Sequence, residues 1–308
     1  MVNHSSSIRR RFFQYSLRFL LLIVLVFAIA MAWLTRGARL QEAAVVRLTS
    51  YGASHIGYVS AWREDGSPDY RADPKQPKLL RDLLGRHYFE TVVGVGAPAD
   101  DRVLPSLVDL PALRRLTLWR GQFVRPQFDC LQSLRELRSL CLESTNVTDD
   151  ALAYIGTLYR LEELDLNSTH ITDRGLTHLG ALSRLRLLVL NNTEVTGATF
   201  DGLPAGVTHL ILDSTNVDDI GLARLSGLRS LKVLSLIDTN VTGVGITHLT
   251  ALEQLTTLDI CNTAVGDEAT AALFALPQKV DIICMHTTFS VHCLRMLGFK
   301  HLIESDKY

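Results

Sequence analysis

The stretch Leu161–Arg184, LEELDLNSTHITDRGLTHLGALSR, is written again with small changes before and after itself. Leu161, Leu164 and Leu166 make L-x-x-L-x-L, and Leu164 and Leu166 share one face of a short strand because strand side chains alternate with period two. Asn167-Ser168-Thr169 turns the chain, and Ile171 is a single apolar pin. Thr172-Asp173 is a helix-start signal, since a short oxygen-bearing side chain accepts from the free N–H groups of a first turn. Leu176, Leu179 and Leu182 follow at spacing three, one face of a short helix or 3₁₀ segment. One such unit cannot bury its own leucines, whereas a stack of units can.

The units start at Leu113, Leu137, Leu161, Leu185, Val207, Leu231, Leu255 and Val280, in steps of 24, 24, 24, 22, 24, 24 and 25 residues. A turn threonine recurs at Thr145, Thr169, Thr193, Thr215, Thr239, Thr263 and Thr288, and the apolar pin at Val147, Ile171, Val195, Val217, Val241 and Val265. The hydroxyls are expected to satisfy backbone groups left open where strands end.

The pattern L-x-x-L-x-L-x-x-T-x-V/I-T-D-x-G-L-x-x-L resembles bacterial leucine-rich-repeat proteins, notably the planctomycete type. Thr172, Asp173, Gly175 and Leu176 are also similar to the cysteine-containing repeats of F-box adaptors. The chain departs from those adaptors in carrying Thr at the turn, where they carry Cys, and in having no F-box-like helical module before the repeats. The resemblance runs from about Phe89 to the C-terminus and implies a curved parallel sheet with short helices on its convex side. It says little about function, because one fold hosts many.

Phe19–Leu34 is an unbroken apolar run between Arg18 and Arg36, at the short limit for a spanning helix. The first 36 residues hold Arg9, Arg10, Arg11, Arg18 and Arg36 and no acid, which favours a cytoplasmic N-terminus and a translocated body. A cleaved signal peptide, giving a secreted protein, is the rival reading: Ala28-Ile29-Ala30 and Ala30-Met31-Ala32 have the small-x-small form of a cleavage site. The rest of the chain is mildly acidic, and no basic stripe points to nucleic acid.

The domain reading is a basic cytoplasmic tail over 1–18, a transmembrane anchor or signal segment over 19–36 and an N-terminal cap over 37–88. A leucine-rich-repeat solenoid over 89–290 and a C-terminal cap over 291–308 complete it. Within the first cap, Ala38–Tyr51 is read as an amphipathic helix along Leu40, Ala44 and Leu48. His55–Trp62 is read as a strand, Glu64–Gln76 as a loop and Pro77–Leu84 as a helix. Phe89–Val95 opens a degenerate first repeat. The Leu113 unit is irregular around Gly121, Pro126 and Phe128. The short Leu185 unit, with Gly202, Pro204 and Gly206, is expected to reduce its helix to a turn.

With Leu164 and Leu166 inside, Glu163, Asp165 and Asn167 point onto the concave sheet face. The same register brings Leu187, Val189, Ile211, Val233 and Ile237 onto that face, flanked by Glu143, Glu163, Asp165 and Asp213. An apolar centre with a polar rim is the pattern of a protein-binding surface. The plainer explanation is that β-branched residues sit there for strand propensity alone.

Asp259, Cys261, Cys284 and His286 fall on two neighbouring strands as a candidate metal square, but their spacing is no recognised zinc motif and convergence on one ion is awkward. A disulfide of Cys261 or Cys284, or free thiols, are the other readings. The five cysteines are odd in number. Asn146, Asn167, Asn191 and Asn240 begin glycosylation-like tripeptides that arise from the repeat itself, and Gly94-Val95-Gly96 is no phosphate loop. No nucleophile–base pair and no H-E-x-x-H is present, and a curved solenoid with no insertion large enough to build a pocket is the stronger ground for expecting no enzyme activity and no cofactor. The sequence therefore predicts an α/β leucine-rich-repeat solenoid behind a single transmembrane helix, displayed at the bacterial envelope and binding a protein partner through its concave face. An intracellular F-box-like substrate adaptor and a structural envelope protein are the alternatives.

Overall fold

The computed structural model describes residues 5–59, 91–124, 128–277, 280–290 and 292–293. The expected segments over 64–76 and 77–84 and most of the C-terminal cap lie outside the described residues. The chain divides into two compact units, 1–46 with 58–91, and 47–57 with 92–308.

In the first unit the dominant element is α1 (Ser5–Ser50), whose last turn belongs to the second unit. The helix runs on through the expected boundary at 36/37. Ala44 and Leu48 are buried as the amphipathic reading requires, while Leu40 is 40% exposed. Among the described residues no helix is long and apolar enough to cross a membrane. The Phe19–Leu34 run lies within α1, and several of its side chains, Phe19 to Leu21 among them, are outside the description. The apolar residues that are described there, Leu22 to Val26 and Ile29, are between 49% and 61% exposed.

Strands β1 (His55–Val59), β2 (Thr91–Pro98), β3 (Arg115–Trp119), β4 (Ser139–Cys141), β5 (Glu163–Asp165) and β6 (Leu187–Val189) continue into β7 (His209–Ile211), β8 (Val233–Ser235), β9 (Thr257–Asp259) and β10 (Asp281–Ile283). They form one sheet in chain order, with every neighbour from β2 to β10 parallel. Strict chain order follows from the repeat: each unit crosses over once and places its strand beside the last. The centre of each strand from β4 to β9 faces inward, so Leu164, Leu188, Leu210, Leu234 and Leu258 are fully buried. Each contributes about 1.5–3 kcal/mol by leaving water.

The crossovers are short helices: Asp149–Ile155, Asp173–Leu176, Asp219–Ala223, Gly243–Ile246 and Thr270–Ala275. The short unit has only a 3₁₀ turn, Phe200–Gly202, as its glycines and proline led one to expect, and fully buried Phe200 supplies its apolar volume.

At each strand exit the chain turns through a left-handed residue. Ser144, Ser168, Asn192, Ser214, Asp238, Asn262 and His286 all have φ between 51° and 58°. The next residue is the turn threonine. Its buried hydroxyl donates to the carbonyl three residues back, as from Thr169 to Leu166 O at 2.6 Å and from Thr215 to Leu212 O at 2.6 Å. The last unit differs from the sequence reading by one residue. Ile283 pairs with Asp259, so the step is 24 and not 25, and Thr287 rather than Thr288 makes the turn bond, to Cys284 O at 2.8 Å. Valine at 280 imitates a unit start, but the ladder hydrogen bonds set the register.

A second ladder links successive units at the helix starts. Asp149 accepts from Thr172 N and Oγ1, Asp173 from Thr196 N and Oγ1, and Asp219 from Thr242 N and Oγ1, all at 2.6–2.9 Å. Each carboxylate thus caps the next unit's helical turn, where its charge also complements the helix dipole. Two units lack the aspartate. At Gly197 the following unit caps itself, with Asp218 accepting from Ile220 N and Gly221 N. At Gly243 the next unit reaches back, and Glu268 accepts the Gly243 N–H at 3.2 Å. Gly175 and Gly245 keep this contact open: a Cβ there would lie 2.4 Å and 2.3 Å from the Asp149 and Asp219 carboxylates.

The α1 end that belongs to the second unit is fixed to the first repeat. Arg47 Nη2 reaches Asp109 Oδ2 at 2.6 Å, and the Arg102 guanidinium sits 4.8 Å from the centre of the Tyr51 ring.

Candidate functional site

The open sheet face is three rows of side chains, one from before each buried leucine and two from after it. Register pairing sets the first row as Glu163, Leu187, His209, Val233 and Thr257, and the second as Asp165, Val189, Ile211, Ser235 and Asp259. Neighbours in a row lie about 4.8 Å apart. Leu187, Val189 and Ile211 are therefore contiguous and half-buried, with Val233 diagonal to Ile211. His209 separates Leu187 from Val233 in the first row, and its Nδ1 lies 2.8 Å from Thr208 Oγ1. Ile237 stands apart, two residues beyond Ser235.

The acidic residues of the face divide into two kinds. Asp213 is built into the sheet: its Oδ1 accepts from Ser235 Oγ at 2.5 Å and from Ile237 N at 3.0 Å, tying β7 to β8. Asp165 Oδ1 accepts from Asn167 N at 2.9 Å, and Asp259 repeats this with Cys261 N at 3.0 Å. Glu163 is exposed and makes no ion pair among the described residues. Glu143 is exposed and accepts from Asn167 Nδ2 at 3.3 Å. An amide ladder crosses the same rim, with Asn192 Nδ2 donating to Asn167 Oδ1 and Asp213 N donating to Asn191 Oδ1. These polar contacts fix the rim around the apolar centre, and the sequence reading did not anticipate them. The recurrence of Asp or Asn directly after a buried strand leucine was the available signal.

The four candidate metal ligands at the C-terminal end are not brought together on this face. With the last register at 24, Cys284 follows Ile283 into a buried position and His286 becomes the left-handed turn residue. Met285 takes the place expected of His286, and its N–H donates to Cys261 Sγ at 3.2 Å. The Cys261 and Cys284 thiols are pushed up to about 11, mainly by burial.

A different cluster forms instead. One ligand atom each from Cys141, Glu143 and Asp165 lies within 4.8 Å of the others. Burial pushes the Cys141 thiol up to about 11, so at neutral pH it is a thiol, and its sulfur sits 3.7 Å from Asp165 Oδ2. The group is thus a thiol–carboxylate contact on the rim, with one carboxylate also committed to the backbone. All five cysteines are free.

No protein-family model matches the chain, and no curated protein is significantly similar to it. Solved structures do match. Internalin C2 of Listeria monocytogenes is 23% identical with a TM-score of 0.50, covering 65% of this chain and 81% of that one. A leucine-rich-repeat protein of Leptospira interrogans is 18% identical with a TM-score of 0.53, covering 68% of this chain and 53% of that one. The chain thus spans about half the length of the Leptospira protein. The likeness, with the parallel sheet in chain order, establishes the leucine-rich-repeat fold.

Proposed function

We propose that this chain is a non-enzymatic protein-binding module, held at the cell envelope by the apolar run of α1 and engaging a protein partner through its open sheet face. The observation that carries the reading is the contiguous trio Leu187, Val189 and Ile211, exposed to solvent in part and ringed by fixed polar groups. Apolar side chains at the centre of a wettable face gain by being covered, and the rim of Glu143, Glu163 and Asn167 supplies directional contacts around them. The fixed amide and carboxylate bonds mean that the face is preorganised, which lowers the ordering penalty on association.

For the anchor, the support is the length of Phe19–Leu34, the arginines that precede it and the exposure of its described side chains. The arginines orient the repeats away from the cytoplasm. The repeats are periplasmic or otherwise extracytoplasmic on this reading, so protease added to spheroplasts with an intact inner membrane degrades them, and full protection of the repeats there refutes it.

The binding test uses the full chain, captured from native membranes, beside Val189→Glu/Ile211→Glu. Circular dichroism first establishes that the variant folds. A partner held by the parent and lost by the variant supports the sheet face. Equal retention by both places the site elsewhere and overturns the assignment.

A further inference from the structure

Because every pairing from β2 to β10 is parallel, all strand starts lie on one edge of the stack and all strand exits on the other. Charge follows that division. The exposed residues before the strands include Arg135, Arg160, Arg184, Arg186, Arg229 and Lys232. Those after the strands and at the helix starts include Glu143, Asp150, Glu194, Asp238, Asp267 and Glu268. Counter-charges are few: Glu136, Glu162 and Glu253 on the basic edge, and Arg102, paired with Asp100, Arg120 and Arg174 on the acidic one. Two of the three acids on the basic edge are already paired, Glu136 with Arg160 and Glu162 with Arg138. Arg135, Arg184, Arg229 and Lys232 carry no ion pair among the described residues. The basic edge also opens into a cavity of about 590 Å³ lined by Gln132, Arg135, Glu136, Thr157, Tyr159 and Arg160, with Tyr159 64% exposed.

We propose that the basic edge of one copy docks on the acidic edge of a second copy of this chain. Two features single out this occupant. The complementary stripe is present on the same molecule, and each stripe runs over several units, from Arg135 to Lys232 on one edge and from Glu143 to Glu268 on the other. A two-fold contact would set like edges together and repel; opposite edges require a head-to-tail contact, which closes into a ring or grows as a row. Individual exposed pairs are weak, so the contact depends on the whole run and on ionic strength. The sheet face stays uncovered in such a row and remains open to its own partner.

The test is sedimentation equilibrium of the full chain in a nonionic detergent. At low salt the average mass rises with protein concentration. At about 1 M salt, where the screening length falls to roughly 3 Å, it returns to that of one chain. Arg184→Glu/Arg229→Glu cancels the net charge of the basic edge and abolishes the association, and Asp150→Lys/Glu194→Lys cancels that of the acidic edge and does the same. An equimolar mixture of these two variants associates again, because each now offers the charge the other lacks. A mass of one chain at low salt overturns the proposal. So does association that persists in high salt and in both variants, as contact through α1 would, and so does a mixture that stays monomeric.

Discussion

Asp219 and Gly245 allow the ladder between repeats to be tested as a coupled unit. Asp219→Ala removes the acceptor of Thr242 N at 2.8 Å and of Thr242 Oγ1 at 2.6 Å. Hydrogen bonds to a charged group contribute about 1.5–3 kcal/mol each, and partial exposure keeps two of them near the lower end, so a loss of about 3 kcal/mol is expected. Gly245→Ala acts on the same contact from the other side. Its Cβ would sit 2.3 Å from Asp219 Oδ1, so the carboxylate must leave Thr242 or the helix must shift. Overpacking of this kind costs about 1–3 kcal/mol. In the double variant the clashing oxygen is gone, and the nearest remaining neighbour of that Cβ is Leu222 Cδ1 at 3.1 Å. The double variant should therefore be scarcely less stable than Asp219→Ala, leaving a coupling of about 1–2 kcal/mol between the sites. Urea unfolding of the four chains, followed by far-ultraviolet circular dichroism, measures the cycle. Additivity within about 0.5 kcal/mol would show that the two residues do not share a contact and would refute the reasoning.

Two further outcomes follow from the same structure. Thr215→Val keeps the side-chain shape but removes the donor to Leu212 O, and burial of that position predicts a loss of about 1–2 kcal/mol with the sheet face intact; an unchanged urea midpoint refutes the role given to the turn hydroxyl. Cys141, Cys261 and Cys284 have thiols raised to about 11 from an ordinary 9.0, so the folded chain prefers them protonated. The unfolded chain then ionises first, and stability present below about pH 9 is lost as pH rises toward 11. In the native chain at pH 8 these three resist alkylation and become reactive on unfolding; mass spectrometry of the labelled peptides checks this, and rapid native labelling of all three contradicts it.

Much of the architecture was legible in the sequence because its cause is local and repeated. L-x-x-L-x-L needs only period two to bury Leu164 and Leu166, and the 24-residue step carries that decision from unit to unit. Thr172 and Asp173 announced a helix start for the same local reason. The partner of Asp173 was not legible, because it is Thr196 in the next unit, and a cap that crosses between repeats has no short-range signature. Nor did the residues around Gly197 and Gly243 reveal how Asp218 and Glu268 replace the missing carboxylates.

Through β9 the sequence by itself determined which repeat leucines are buried, the order of the strands and the rows that face outward, since hydrophobic periodicity and repeat length suffice for all three. Only the tertiary structure decided which outward groups are free to meet a partner. Asp213 and Glu163 look alike as acids on one face, yet Asp213 ties β7 to β8 and Glu163 stands clear. The last strand shows the same limit. Val280, Ile282 and Ile283 offer several apolar registers, and one residue of slip carries Cys284 and His286 off the outward rows. Apolar pattern is degenerate there, and the backbone ladder with β9 removes the degeneracy because each N–H and C=O of the strand has one partner to find.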